Sequence, residues 1–108
     1  MNECELDALR RLCASGAIRW TGHVVKRLLQ RGIAQADVVQ AIMTGEIIEQ
    51  YPEDYPNPSC LTLGLTVAGV PIHVVCGQGE EEVWMITAYY PDSNVWEEDW
   101  KTRKKGVK

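Results

Sequence analysis

Residues 60–76 read CLTLGLTVAGVPIHVVC, and the period of this stretch decides the fold. Leu61, Leu63, Leu65 and Val67 alternate with Cys60, Thr62, Gly64 and Thr66, the two-residue repeat of a strand with two unlike faces. Ala68-Gly69 then makes a tight connection into a second run, Val70–Cys76, so the pair reads as a hairpin.

Working outward toward the C-terminus, Gly77–Glu82 is a polar turn leading antiparallel into a strand over Val83–Tyr90. Simple alternation puts Val83, Met85, Thr87 and Tyr89 on one face of that strand and Trp84, Ile86, Ala88 and Tyr90 on the other. Pro91-Asp92 closes it, and Trp96 is expected to fold back on the body. Toward the N-terminus, Glu46–Tyr51 is a further strand, followed by a stiff loop at Pro52, Pro56 and Pro58.

Before residue 45 the period is helical. Leu6, Leu9, Leu12 and Cys13 mark one helix over 3–14, with acids first and Arg10 and Arg11 later, in the order a helix dipole favours. Thr21 is an N-cap candidate for a second helix, which buries Val24, Val25, Leu28 and Leu29 and stops at Gly32. A third runs from Gln35 to about Met43. Its cap position holds Ala34, so its first turn is expected to fray. The whole reads as an α+β domain, N-terminal helices packed on an antiparallel β-meander of about four strands. A single domain over 1–100 and a basic tail over 101–108, loose at its end, describe the chain.

With 108 residues and 45% hydrophobic content there is room for one core. Cys4, Cys13, Cys60 and Cys76 have no CxxC spacing, and His23 and His73 complete no zinc pattern, so neither metal nor cofactor is expected. No stretch reads as a signal peptide or membrane span; free thiols in the cytoplasm are expected. The net charge of −4 hides a sorted distribution. Lys and Arg fall only in 10–31 and 101–108, with none between Gly32 and Trp100. Such sorting serves either complementary packing or a basic surface for phosphate or an acidic partner.

On the second helix His23, Arg27 and Arg31 form a stripe about 80° wide beside the apolar side. An imidazole there could act as general acid or base, with the two guanidiniums holding a phosphate. The same stripe also follows from amphipathicity alone. Lys26 and Arg19 are weaker versions of the phosphate-binding case. His73, mid-strand among apolar residues, reads either as a second acid–base group or as a packed structural one. Tyr89, Tyr51 and Thr87 could meet a base or a phosphate, or simply fill a strand. Trp84, Trp96 and Trp100 read as core or lid. There is no glycine-rich nucleotide loop, no HExxH and no GxSxG.

Thr21-Gly-His23 with Lys26-Arg27 and Arg31-Gly32-Ile33 resembles the opening of the domain of unknown function 4258. The resemblance continues through Gly45–Tyr51, Pro58–Gly64, Pro71–Val75, Ile86–Tyr89, Pro91-Asp92, Trp96 and Arg103, covering about residues 18–103. It implies a RelE-like fold akin to RelE and MqsR toxins of bacterial toxin–antitoxin systems, and a partner with a zinc-finger domain of the MqsA antitoxin kind. Its pattern falls on His23, Arg27, Arg31, Tyr51, His73, Thr87 and Tyr89.

The expected function is a toxin-type, metal-independent endoribonuclease cleaving single-stranded RNA through 2′-OH attack. Catalysis is expected from His23, Arg27, Arg31, His73 and Tyr89, and RNA binding from Arg19, Lys26, Tyr51 and Thr87. The rival is a non-catalytic module binding RNA or an acidic protein. A homodimer is left open, and no membrane partner is expected.

Overall fold

The computed structural model describes residues 3–105. Three helices, α1 (Leu6–Ala14), α2 (Gly22–Arg31) and α3 (Gln35–Thr44), pack on one face of a five-stranded sheet. Its strands are β1 (Ile18–Trp20), β2 (Glu46–Tyr51), β3 (Ser59–Leu65), β4 (Pro71–Gln78) and β5 (Val83–Tyr89), in the order β1-β5-β4-β3-β2. The α+β class and the antiparallel meander β2–β5 are as the periodicity requires. The fifth strand, β1, is additional. It lies parallel to β5, pairing Ile18–Trp20 with Val83–Met85. Three residues between a glycine turn and a helix cap display no repeat, and their partner is distant in sequence.

Local chemistry fixes the ends of α2. The Thr21 side chain accepts from the Val24 N–H at 3.2 Å. Gly32 takes the left-handed conformation (φ 68°), letting the Gly32 and Ile33 amides close on the Leu29 and Leu28 carbonyls. At α3, Ala34 gives no side-chain cap, while the far end is closed from another element. Arg10 on α1 donates to the Ile42 and Gly45 carbonyls at 3.1 and 2.8 Å.

The helices cover the small-residue face of β3, and a glycine explains why. A Cβ on Gly64 would stand 1.9 Å from the Ala41 carbonyl oxygen, so α3 crosses the strand in backbone contact. Around that crossing Cys60, Ile72, Val74, Cys76, Val83, Met85 and Ala88 meet Leu9, Val24, Leu28, Val38, Ala41 and Ile42 in the core. The leucines of β3 point the other way, yet Leu61 is buried. Residues 91–105 lie across that second face and bury Trp96 there.

Two register shifts decide what this second face displays. In β2, Ile47 and Glu49 oppose consecutive residues of β3, leaving Ile48 extra; in β5, Met85 and Thr87 oppose consecutive residues of β4, leaving Ile86 extra. Each bulge reverses the alternation beyond it. Strict alternation in β5 is therefore corrected: Ala88 joins Val83 and Met85 in the core, while Thr87 and Tyr89 turn to the second face with Trp84. Glu49 and Tyr51 are redirected in the same way, onto the side shared by Leu61, His73 and Thr87.

Candidate active site on the second face of the sheet

His73 sits mid-β4, directly opposite Tyr89 on β5 and Leu63 on β3, and is completely buried (0% exposed). Its ring meets Trp96 edge-on at 4.6 Å between centroids and Tyr89 at 5.3 Å. Nε2–H donates to the Trp100 carbonyl at 2.6 Å, which fixes the tautomer and leaves the Nδ1 lone pair facing the Tyr89 hydroxyl at 3.4 Å. Trp100 itself holds a left-handed backbone (φ 61°), a conformation that costs a non-glycine residue about 1–2 kcal/mol. Burial pushes the His73 pKa below its ordinary 6.5, against the opposite pull of the Trp100 carbonyl and of Glu49. Burial likewise raises the Tyr89 phenol.

On the β2 side, Arg103 grips Glu49 with two nitrogens, Nε at 2.8 Å and Nη2 at 3.0 Å, and stacks 4.5 Å from the centre of the Trp96 ring. That pairing holds the Glu49 carboxyl below its usual range. The Tyr51 hydroxyl donates to the same carboxylate, and burial together with this bond pushes the phenol up to about 12. On the β5 side, Arg31 donates to Thr87 Oγ1 at 2.9 Å and to the Ala88 carbonyl at 2.8 Å. Because β1 pairs only with Val83–Met85, the outer edge of β5 beyond it lacks a strand, and the Arg31 guanidinium fills that gap.

The sequence-predicted residues thus divide. His73, Tyr89, Thr87, Tyr51 and Arg31 gather on or at the edge of one sheet face. His23, Lys26 and Arg27 are exposed on α2, and among the described residues their side chains make no hydrogen bond or ion pair. His23 stands eight residues before Arg31, about 12 Å along the helix axis, so the two do not converge on one phosphate as the stripe suggested. Arg19 pairs with Glu82 at 2.6 Å and lies over Trp84. Sequence reasoning missed Glu49 and Arg103 as partners in the site, since their contact spans 54 residues and depends on the β2 bulge.

Nothing among the described residues gathers three or more His, Cys, Asp or Glu side chains fit to hold a metal ion. The four cysteines are buried and free. Cys60 and Cys76 face each other across β3–β4 with sulfurs 3.9 Å apart. Cys4 pulls the Cys60 thiol down, but Cys76 and burial together outweigh it and push the thiol up. No helix of the described residues is long and apolar enough to cross a membrane.

A family model described as a domain of unknown function, DUF4258, matches residues 20–90. The chain belongs to that family. The DUF4258 segment runs from the end of β1 to just past β5 and so contains α2, His73 and Tyr89. It stops before Trp96, Trp100 and Arg103, the residues that roof the histidine. No curated protein and no solved structure matches the chain at a significant level. The family match carries the domain, while the RelE- and MqsR-like character expected from the sequence is not part of it.

Proposed function

We propose that this DUF4258 chain is a metal-independent, toxin-type endoribonuclease cutting single-stranded RNA through its 2′-hydroxyl, with the chemistry at His73 rather than at His23. The supporting observation is the pairing of His73 with Tyr89 on neighbouring strands, two positions from Thr87, where the Arg31 guanidinium reaches in from the end of α2. Burial favours the neutral imidazole, which is the form a general base requires. In the proposed reaction a ribose 2′-OH gives its proton to His73 Nδ1 while its oxygen bonds to phosphorus. The P–O5′ bond breaks, Tyr89 protonates the leaving oxygen, and the His73 proton returns to the phenolate. A 2′,3′-cyclic phosphate and a 5′-hydroxyl result. Arg31 would exchange the Ala88 carbonyl for a phosphate oxygen, and exposed Lys26 and Arg27 would follow the backbone. An antitoxin with a zinc-finger domain is the protein partner this reading calls for.

One observation favours the rival. His73 is fully buried with both ring nitrogens engaged, as befits a histidine that only fastens the fold. On that reading Lys26 and Arg27 dock RNA or an acidic protein and nothing is cut.

The test is cleavage of an end-labelled single-stranded RNA pool in EDTA by the parent, His73→Gln and His23→Ala, each checked for folding. Cyclic-phosphate ends from the parent, a loss of about 100-fold or more in His73→Gln, and retention in His23→Ala are expected. RNA that is shifted by the folded parent yet never cut, with the shift lost in Lys26→Ala/Arg27→Ala, would make the binding module the better account.

A further inference from the structure

The cover over His73 is a separate piece of chain, and its fastenings are of an unusual kind. Residues 91–105 lie beyond the DUF4258 segment and fold back on themselves. The Lys104 amide donates to the Val95 carbonyl and the Glu97 amide to the Thr102 carbonyl, both at 2.8 Å, with a bridge between Trp96 and Arg103. This small strap is tied to the sheet by polar contacts from three of its residues: Lys101 to Glu46, Arg103 to Glu49, and the Trp100 carbonyl to His73. The first two are ion pairs at the surface. Their cations are 45% and 46% exposed, so solvent ions and phosphates can reach them. Beneath the strap lie His73 and Tyr89, closed off by Trp96.

Resting on the ribonuclease reading above, we infer that residues 91–105 form an autoinhibitory lid, latched by Arg103 on Glu49, that single-stranded RNA opens by offering its phosphates to Arg103. A guanidinium bound through two nitrogens to a carboxylate has the fork geometry that a phosphate oxygen pair also fits, so the exchange replaces one bidentate partner by another. Trp96 then lifts with Arg103, because the guanidinium is stacked on its ring. The opening bares His73 and Tyr89 on the side where the 2′-hydroxyl must arrive. Without RNA the latch keeps the imidazole dry and the site shut.

The lid is tested with Glu49→Gln, which removes the latch charge and leaves Arg103 and the proposed catalytic groups in place. Carbethoxylation of His73 by diethyl pyrocarbonate, read by peptide mass spectrometry against the exposed His23 as internal standard, reports whether the lid is open. Cleavage of the RNA pool in EDTA reports the consequence. Expected is a rise of about two- to fivefold in both His73 reactivity and cleavage rate for the variant, the range a surface ion pair commands. The parent in 1 M KCl should give the same rise in His73 reactivity, an arm that needs no mutation. Cleavage by the parent with His73 reactivity unchanged in both arms would overturn the lid and keep the ribonuclease. A rise in reactivity with no cleavage by either protein would keep the lid's mobility and overturn the ribonuclease and, with it, RNA as the opener.

Discussion

At the level of single residues, His73 couples the fold to pH. Its pKa is depressed by burial, so the folded state prefers the neutral ring more than the unfolded chain does. The resulting stability is fully present above the ordinary value of 6.5 and is lost as pH falls from there toward the folded pKa. Urea denaturation at pH 7.5 and pH 5.5 should give a lower midpoint at the acid pH, and His73→Gln should flatten that difference while lowering both midpoints. Glu49 is depressed by Arg103 in the same sense, and its share goes only as pH drops below the ordinary 4.5. The sequence marked His73 as polar among apolar neighbours, which is visible locally. It could not mark Trp100 as the acceptor, because a backbone carbonyl 27 residues away has no signature in the residue type that bears it.

Individual elements give a contrast between two glycines. Adding a Cβ at Gly64 drives it into the Ala41 backbone, so Gly64→Ala forces α3 off the sheet. We expect a loss of about 3 kcal/mol or more, measured by chemical denaturation. Gly22, in the first turn of α2, has nothing within 4 Å of the same position, and Gly22→Ala should gain about 0.5 kcal/mol by restricting the unfolded chain. Thr21→Ala, removing the cap on Val24, should cost about 1 kcal/mol. Helices, their caps and the β3–β4 hairpin were legible because each is written in neighbouring residues. The bulges were not, since an extra isoleucine inside a strand looks like more strand. Neither was β1, too short to repeat. The basic stripe was legible as a pattern, but rigid geometry kept it from closing: His23 and Arg31 share a side of α2 and lie more than two turns apart.

Over the whole molecule, the sheet is sandwiched unequally, with helices on one face and a strap of about fifteen residues on the other. Trp96 is the strap's one large buried side chain, at 3% exposure, so Trp96→Ala should destabilise by about 3–5 kcal/mol and expose His73. Binding of a hydrophobic dye together with a lowered thermal midpoint would register this; unchanged values would mean that the strap contributes little to the fold. Of the basic tail expected over 101–108, Lys101 and Arg103 are anchored on β2, and residues 106–108 lie outside the described part. The charge sorting read from composition also has a partly structural meaning. Arg10 caps α3, Arg19 meets Glu82 and Arg103 meets Glu49, which leaves Lys26 and Arg27 as the exposed remainder on α2.

The two extra isoleucines carry a consequence for how such a chain can change length. Strip Ile48 from β2 and the order Glu46, Ile47, Glu49, Gln50, Tyr51 alternates without a break; strip Ile86 from β5 and Val83, Trp84, Met85, Thr87, Ala88, Tyr89 does the same. Each strand is an unbroken two-beat phrase with one syllable inserted, and the inserted syllable falls outside the pairing. A single-residue deletion is ordinarily ruinous within a strand, since it swaps inside for outside along everything downstream. At these two places it would leave every later side chain on its present face, so kin of this chain can drop one codon at either point and still present the same phenols, carboxylate and hydroxyl to the same side.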